Sequence, residues 1–115
     1  MKYVGGCHCG AVRFELESEP ITTACVCNCS ICSRRGVPMS SIYYPPGAIT
    51  IEAAKGALAV YRWGDHMMNH YFCARCGVYP FCDVIATHKY RVNLGCVEGL
   101  DLDALAITKL DGRSF

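Results

Sequence analysis

Seven of the ten cysteines in this 115-residue chain sit in three short clusters. These are Cys7-His8-Cys9, Cys27-Asn28-Cys29-Ser30-Ile31-Cys32 and Cys73-Ala74-Arg75-Cys76-Gly77. Cysteines this dense have two ordinary uses: disulfides in a secreted chain, metal ligands in a cytosolic one. Disulfide partners need no local spacing, whereas two thiolates gripping one ion do. A two-residue spacer lets a tight turn aim both sulfurs at one centre, and a glycine after the pair allows the positive φ that such a knuckle needs. Zinc suits the set, because it accepts four thiolates in a tetrahedron. A structural zinc takes two ligands from each of two knuckles, which pairs Cys7 and Cys9 with Cys73 and Cys76. Cys27, Cys29 and Cys32 remain as a three-cysteine site. Three protein ligands and a free fourth position are what a catalytic zinc requires; the alternative is closure by a fourth protein ligand, with Cys25 nearest in sequence. Cys25, Cys82 and Cys96 stay unassigned, and a single cysteine among apolar neighbours is commonly a small buried hydrophobe.

Other groups could support that chemistry. Arg34 and Arg35 directly follow the second cluster. They either anchor substrate carboxylates through bidentate hydrogen bonds or offset thiolate charge at the surface. His8, between two ligands, is expected to point away from the metal. His66 and His70 are four apart, but no Glu follows His66, so the zinc-protease pattern is absent. His70 and His88 are ordinary histidines or proton carriers. Tyr43, Tyr44, Tyr61, Trp63, Tyr71 and Phe72 line a pocket or, for most of them, pack in the core.

Composition bounds the partners. Apolar residues are 52% of the chain, enough for a packed core, and the length suits one domain over residues 1–115. No run approaches the ~20 apolar residues of a membrane span. The opening Met1–Cys7 has no apolar leader core, so a cytoplasmic protein is expected. Eleven basic and ten acidic residues give a formal charge of +1. Seven bound thiolates and two zinc ions would bring it to about −2, a poor match to polyanions, so no nucleic-acid partner is expected.

The elements that must position these groups are short strands. Val12, Phe14 and Leu16 alternate with Arg13, Glu15 and Glu17, as in a half-buried strand. Gly5-Gly6 and the first knuckle then form the turn of a hairpin. Further strands are predicted over 22–26, 40–44, around Ile49 and Ile51, from Leu58, over 67–72, 78–84 and 90–94, with turns at Pro45-Pro46-Gly47, Lys55-Gly56 and Gly64-Asp65. Residues 30–35 predict one helical turn ending at Gly36, and 100–105 a short helix. The pattern implies an all-β domain, mostly antiparallel, whose small core is tied by zinc.

The three motifs resemble those of the glutathione-dependent formaldehyde-activating enzyme family, which includes centromere protein V. The matching stretches are Gly6-Cys7-His8-Cys9-Gly10-Ala11-Val12-Arg13-Phe14, Cys27-Asn28-Cys29-Ser30-Ile31-Cys32-Ser33-Arg34-Arg35 and His70-Tyr71-Phe72-Cys73-Ala74-Arg75-Cys76-Gly77-Val78. The resemblance implies a folded-over β fold shared with methionine sulfoxide reductase B and a zinc-binding Rab-GTPase chaperone. It implies a structural zinc on Cys7, Cys9, Cys73 and Cys76, and a catalytic zinc on Cys27, Cys29 and Cys32; the missing fourth ligand predicts that this second ion is partly occupied or absent in purified protein. The implied activity is that of a carbon–sulfur lyase, forming or cleaving an S-hydroxymethyl adduct of glutathione or another small thiol. The chain is shorter than the enzyme that named the family, so elements that embrace glutathione are open to question. Two other readings compete: a non-catalytic zinc-binding interaction module, and methionine sulfoxide reductase chemistry. Against the latter, the first knuckle has a one-residue spacer and Cys96 lacks the reductase motif.

Overall fold

The computed structural model describes residues 1–64 and 67–114. The first hairpin forms as the alternation predicts. β1 (Lys2–Gly6) pairs antiparallel with β2 (Val12–Glu17), and β2 pairs with β5 (Ile49–Ala53). Val12, Phe14 and Leu16 are at most 2% exposed, while Arg13, Glu15 and Glu17 face solvent. Period-two patterning thus puts one face of this sheet on the core. Gly5 is required there, because a Cβ would strike the Cys96 carbonyl and the Phe14 ring.

A four-stranded antiparallel sheet carries the third cysteine motif. Its order is β6 (Leu58–Tyr61), β7 (Met68–Cys73), β8 (Phe81–Val84), β9 (Tyr90–Val92). Phe81 joins the two sheets. It meets Phe14 edge-on at 6.0 Å between centroids, and Tyr90 edge-on at 5.8 Å. Such aromatic pairs add about 0.5–1.5 kcal/mol beyond the area they bury.

The third sheet carries the second cysteine motif. β3 (Thr23–Cys27) lies between the short β4 (Met39–Ser40) and β10 (Ala106–Leu110). After β3 comes α1 (Ser30–Arg35), stopped by Gly36 at φ 62°. That left-handed residue is the usual helix end, since glycine has no Cβ to clash.

Two expectations need correction. Residues 100–105 hold only a 3-10 turn at Leu102–Ala104, and the chain then runs into β10, which no sequence pattern announced. β10 pairs parallel with β3, within the mostly antiparallel set of sheets that the sequence predicts. The extended stretch expected over 40–44 ends at Ser40 and returns only as a bridge from Tyr44 to Tyr90. The turn at Gly64-Asp65 and the spacing of His66 to His70 fall on Asp65 and His66, outside the described residues. Among the described residues, no helix is long and apolar enough to cross a membrane.

Candidate metal centre

The β1–β2 turn and the turn after β7 bring Cys7, Cys9, Cys73 and Cys76 together, with all four sulfurs within 4.8 Å of one another. Thiolates at the corners of a tetrahedron about 2.3 Å from its centre lie about 3.8 Å apart. The Cys7–Cys9 and Cys9–Cys73 sulfurs are 3.7 and 3.6 Å apart. Backbone amides point at the same sulfurs: Val12 N–H donates to Cys7 Sγ at 3.3 Å, and the Arg75 and Cys76 N–H groups donate to Cys73 Sγ at 3.4 Å. The amides of Val78 and then Cys9 hold the Cys76 thiol down at about 6. Donor set, spacing and amide support fit a four-thiolate ion site.

Cys27, Cys29 and Cys32 form a second cluster within the same 4.8 Å limit. Cys27 ends β3, Cys29 caps α1, and Cys32 lies inside that helix. Among the described residues no fourth histidine, cysteine or carboxylate joins them. Cys25 does not close the site; its buried sulfur accepts from the Arg91 guanidinium. Burial, and after it the Cys29 sulfur, pushes the Cys32 thiol up to about 12. Burial also opposes ionisation of Cys29, but hydrogen bonds from the Cys32 amide and thiol outweigh it and lower that pKa. Close sulfurs therefore share protons unevenly, and a divalent cation would let all three ionise. This set also fits a thiophilic ion, with one position left for another ligand.

A cavity of about 570 Å³ opens beside this cluster, within the roughly 300–1,000 Å³ of small-molecule sites. Ile31, Tyr43, Trp63 and Met68 give it apolar walls, and His70 and Arg91 add polar groups. A smaller recess continues inward past Arg35, Tyr79 and Cys82. Arg35 stacks on the Tyr79 ring at 3.5 Å and its Nη1 lies 3.1 Å from His70 Nδ1. Burial, then the Arg35 charge, holds His70 down at about 4, so it is neutral at pH 7. Arg91 donates to the Ser40 carbonyl at 3.2 Å and lies 5.1 Å over the Tyr43 ring.

Of the two arginines singled out from sequence, only Arg35 faces this recess. Arg34 is exposed and donates to the Ser30 carbonyl at 2.7 Å, back onto its own helix. His8 is exposed on the first turn, and His88 sits on the β8–β9 turn 3.8 Å from Asp83. Tyr43 and Trp63 line the cavity, whereas Tyr44 is buried in the core. Cys25 and Cys82 are buried, while Cys96 is half-buried with its thiol 3.9 Å from the Tyr79 carbonyl. Arg91 and Tyr79 escaped sequence reasoning. The available signal for Arg91 was a cation inside an otherwise apolar strand, Tyr90-Arg91-Val92.

A crystal structure of a Rhodobacter sphaeroides protein matches 94% of this chain and 100% of its own, at 30% identity and a TM-score of 0.76. The family model described as glutathione-dependent formaldehyde-activating enzyme matches residues 2–107, a stretch that includes both cysteine clusters and every cavity-lining residue named above. The chain belongs to the glutathione-dependent formaldehyde-activating enzyme family.

Proposed function

We propose that this protein is a zinc-dependent enzyme of the carbon–sulfur lyase type, which joins glutathione or a similar small thiol to formaldehyde and reverses that reaction. In sum, the thiol sulfur bonds to the aldehyde carbon, the carbonyl π bond breaks, and the thiol proton ends on the new hydroxyl. The observation that carries this reading is the three-cysteine cluster, which no fourth protein ligand joins among the described residues, at the wall of a cavity that also holds arginine. A zinc ion there would keep the incoming thiol ionised at neutral pH and beside the aldehyde.

The chain's own residues do the rest. Cys27, Cys29 and Cys32 hold the ion, while Cys7, Cys9, Cys73 and Cys76 hold a structural one. Arg35, fixed against Tyr79 and His70, and Arg91, fixed against Ser40, present guanidinium groups to the thiol's carboxylates. His70 stays uncharged and so does not reprotonate the sulfur. Trp63, Tyr43 and Met68 give the reacting atoms an apolar wall. None of the ten cysteines is paired in a disulfide, which suits a reducing compartment such as the cytoplasm.

Calorimetric titration of zinc-loaded protein with glutathione and with S-methylglutathione tests this. Glutathione should bind at least about tenfold more tightly, because methylation removes the ionisable thiol. Equal affinity would sink the proposal and favour the non-catalytic interaction module.

A further inference from the structure

Beyond residues 2–107, which the family model matches, the chain folds back over the second cysteine loop. Asn28 lies between Cys27 and Cys29, and one tetrapeptide occupies its backbone and both ends of its side-chain amide. Asn28 N–H donates to the Leu110 carbonyl at 3.1 Å. Asn28 Nδ2 donates to Asp111 Oδ1 at 2.9 Å, and the Arg113 N–H donates to Asn28 Oδ1 at 2.9 Å. Between those contacts, Gly112 rests directly on the cluster. A Cβ at Gly112 would collide with Cys27 Sγ and stand 3.1 Å from Cys29 Cβ, so no side chain fits there.

We infer that residues 110–113 are a latch that positions Cys27 and Cys29 for ion binding, with Asn28 as the positioning residue and Gly112 as its steric key; this rests on the reading that Cys27, Cys29 and Cys32 hold an ion. The physical need is clear from the ligand set. Among the described residues, no fourth protein ligand fixes the loop of this three-thiolate site. The six-residue α1 holds Cys32, but its N-cap Cys29 makes no side-chain capping bond. Ordering a Cys-Asn-Cys segment costs backbone conformational entropy, and the latch meets that cost before the ion arrives. Gly112 also covers one side of the Cys27 sulfur, which leaves the cavity beside Ile31 and Met68 as the approach for an external ligand.

Cobalt(II) titration tests the latch without measuring activity, because thiolate-to-cobalt charge-transfer bands report each site. The wild type should take up two equivalents. Asn28→Ala and Gly112→Ala should each weaken the second equivalent at least about tenfold and leave the first, together with thermal unfolding of the one-cobalt form, unchanged. The exchange of Asn28→Asp with Asp111→Asn reverses donor and acceptor while keeping the bond from Arg113 N–H. It should restore the second equivalent to within about threefold of wild type, where Asn28→Asp alone should not. Unchanged affinity and spectrum in Asn28→Ala and Gly112→Ala would overturn the latch and leave the ion-site reading standing. Loss of the first equivalent as well would mean a general structural role, and overturn it too. Uptake of only one equivalent by the wild type would defeat both.

Discussion

The two cysteine clusters use the same ligand chemistry in opposite settings. Cys7 and Cys73 are buried where the first hairpin meets the four-stranded sheet, and four sulfurs gather there within 4.8 Å of one another. Cys27, Cys29 and Cys32 are each half-buried, come from one stretch of chain, and border an open cavity. The first cluster joins segments 64 residues apart; the second joins nothing that β3 and α1 do not already hold. Ligand count and chain separation, not ligand type, thus decide what each site can do. Crosslinking distant hairpins stabilises a small core. A local, incomplete site contributes little to the fold and keeps a position free for an external ligand.

Substitution of one ligand in each cluster is the severest test of that contrast. Cys76→Ser should abolish cooperative folding, since structural zinc sites are worth about 10–16 kcal/mol of binding energy and a domain has only ~5–15 kcal/mol to lose. Metal analysis and circular dichroism would show it. By contrast, Cys29→Ser should lose one metal equivalent and all thiol binding yet melt cooperatively within a few degrees of wild type. A Cys29→Ser protein that unfolds, or a Cys76→Ser protein that melts normally, would erase the distinction.

A smaller effect sharpens the picture of the cavity. Arg35→Ala removes a guanidinium that stacks on Tyr79 and reaches His70. It should weaken glutathione binding by ~1–3 kcal/mol, the range for one charge-assisted contact. Arg34→Ala, on the exposed side of the helix, should stay within about 0.5 kcal/mol. The reverse order in a calorimetric comparison would place the carboxylate contact elsewhere.

The last effect is in pH. The folded protein holds His70 at about 4, against an ordinary value of 6.5. Between those values the unfolded chain binds the extra proton, so stability falls as pH drops through that window and is unaffected by His70 above it. His70→Gln should flatten that part of the profile relative to wild type in urea melts at matched metal loading. Identical slopes would mean that His70 is solvated in the folded state.

Much of this was legible because it is local. Cys-x-Cys and Cys-x-x-Cys spacings are set within one turn, and so is the alternation of Val12, Phe14 and Leu16 that turns one face inward. The helical turn at 30–35 and its stop at Gly36 follow from the same short-range rules. Where a residue's role depends on a distant partner, the pattern is silent. Ala106 to Leu110 are all exposed, so β10 has no burial alternation to betray it, and its place is decided by backbone pairing with β3. Arg34 and Arg35 are neighbours with equal charge, and only the roll of α1 against β7 and the Tyr79 ring separates their roles. The sequence by itself determined which residues could bind metal and how they divide into two clusters, because ligand type and turn spacing are properties of short segments. The tertiary structure alone decided that Cys25 turns to Arg91 rather than to the second cluster, and that a cavity opens there. Those outcomes depend on packing between β3, β9 and α1, whose contacts are long-range and leave no trace in residue spacing.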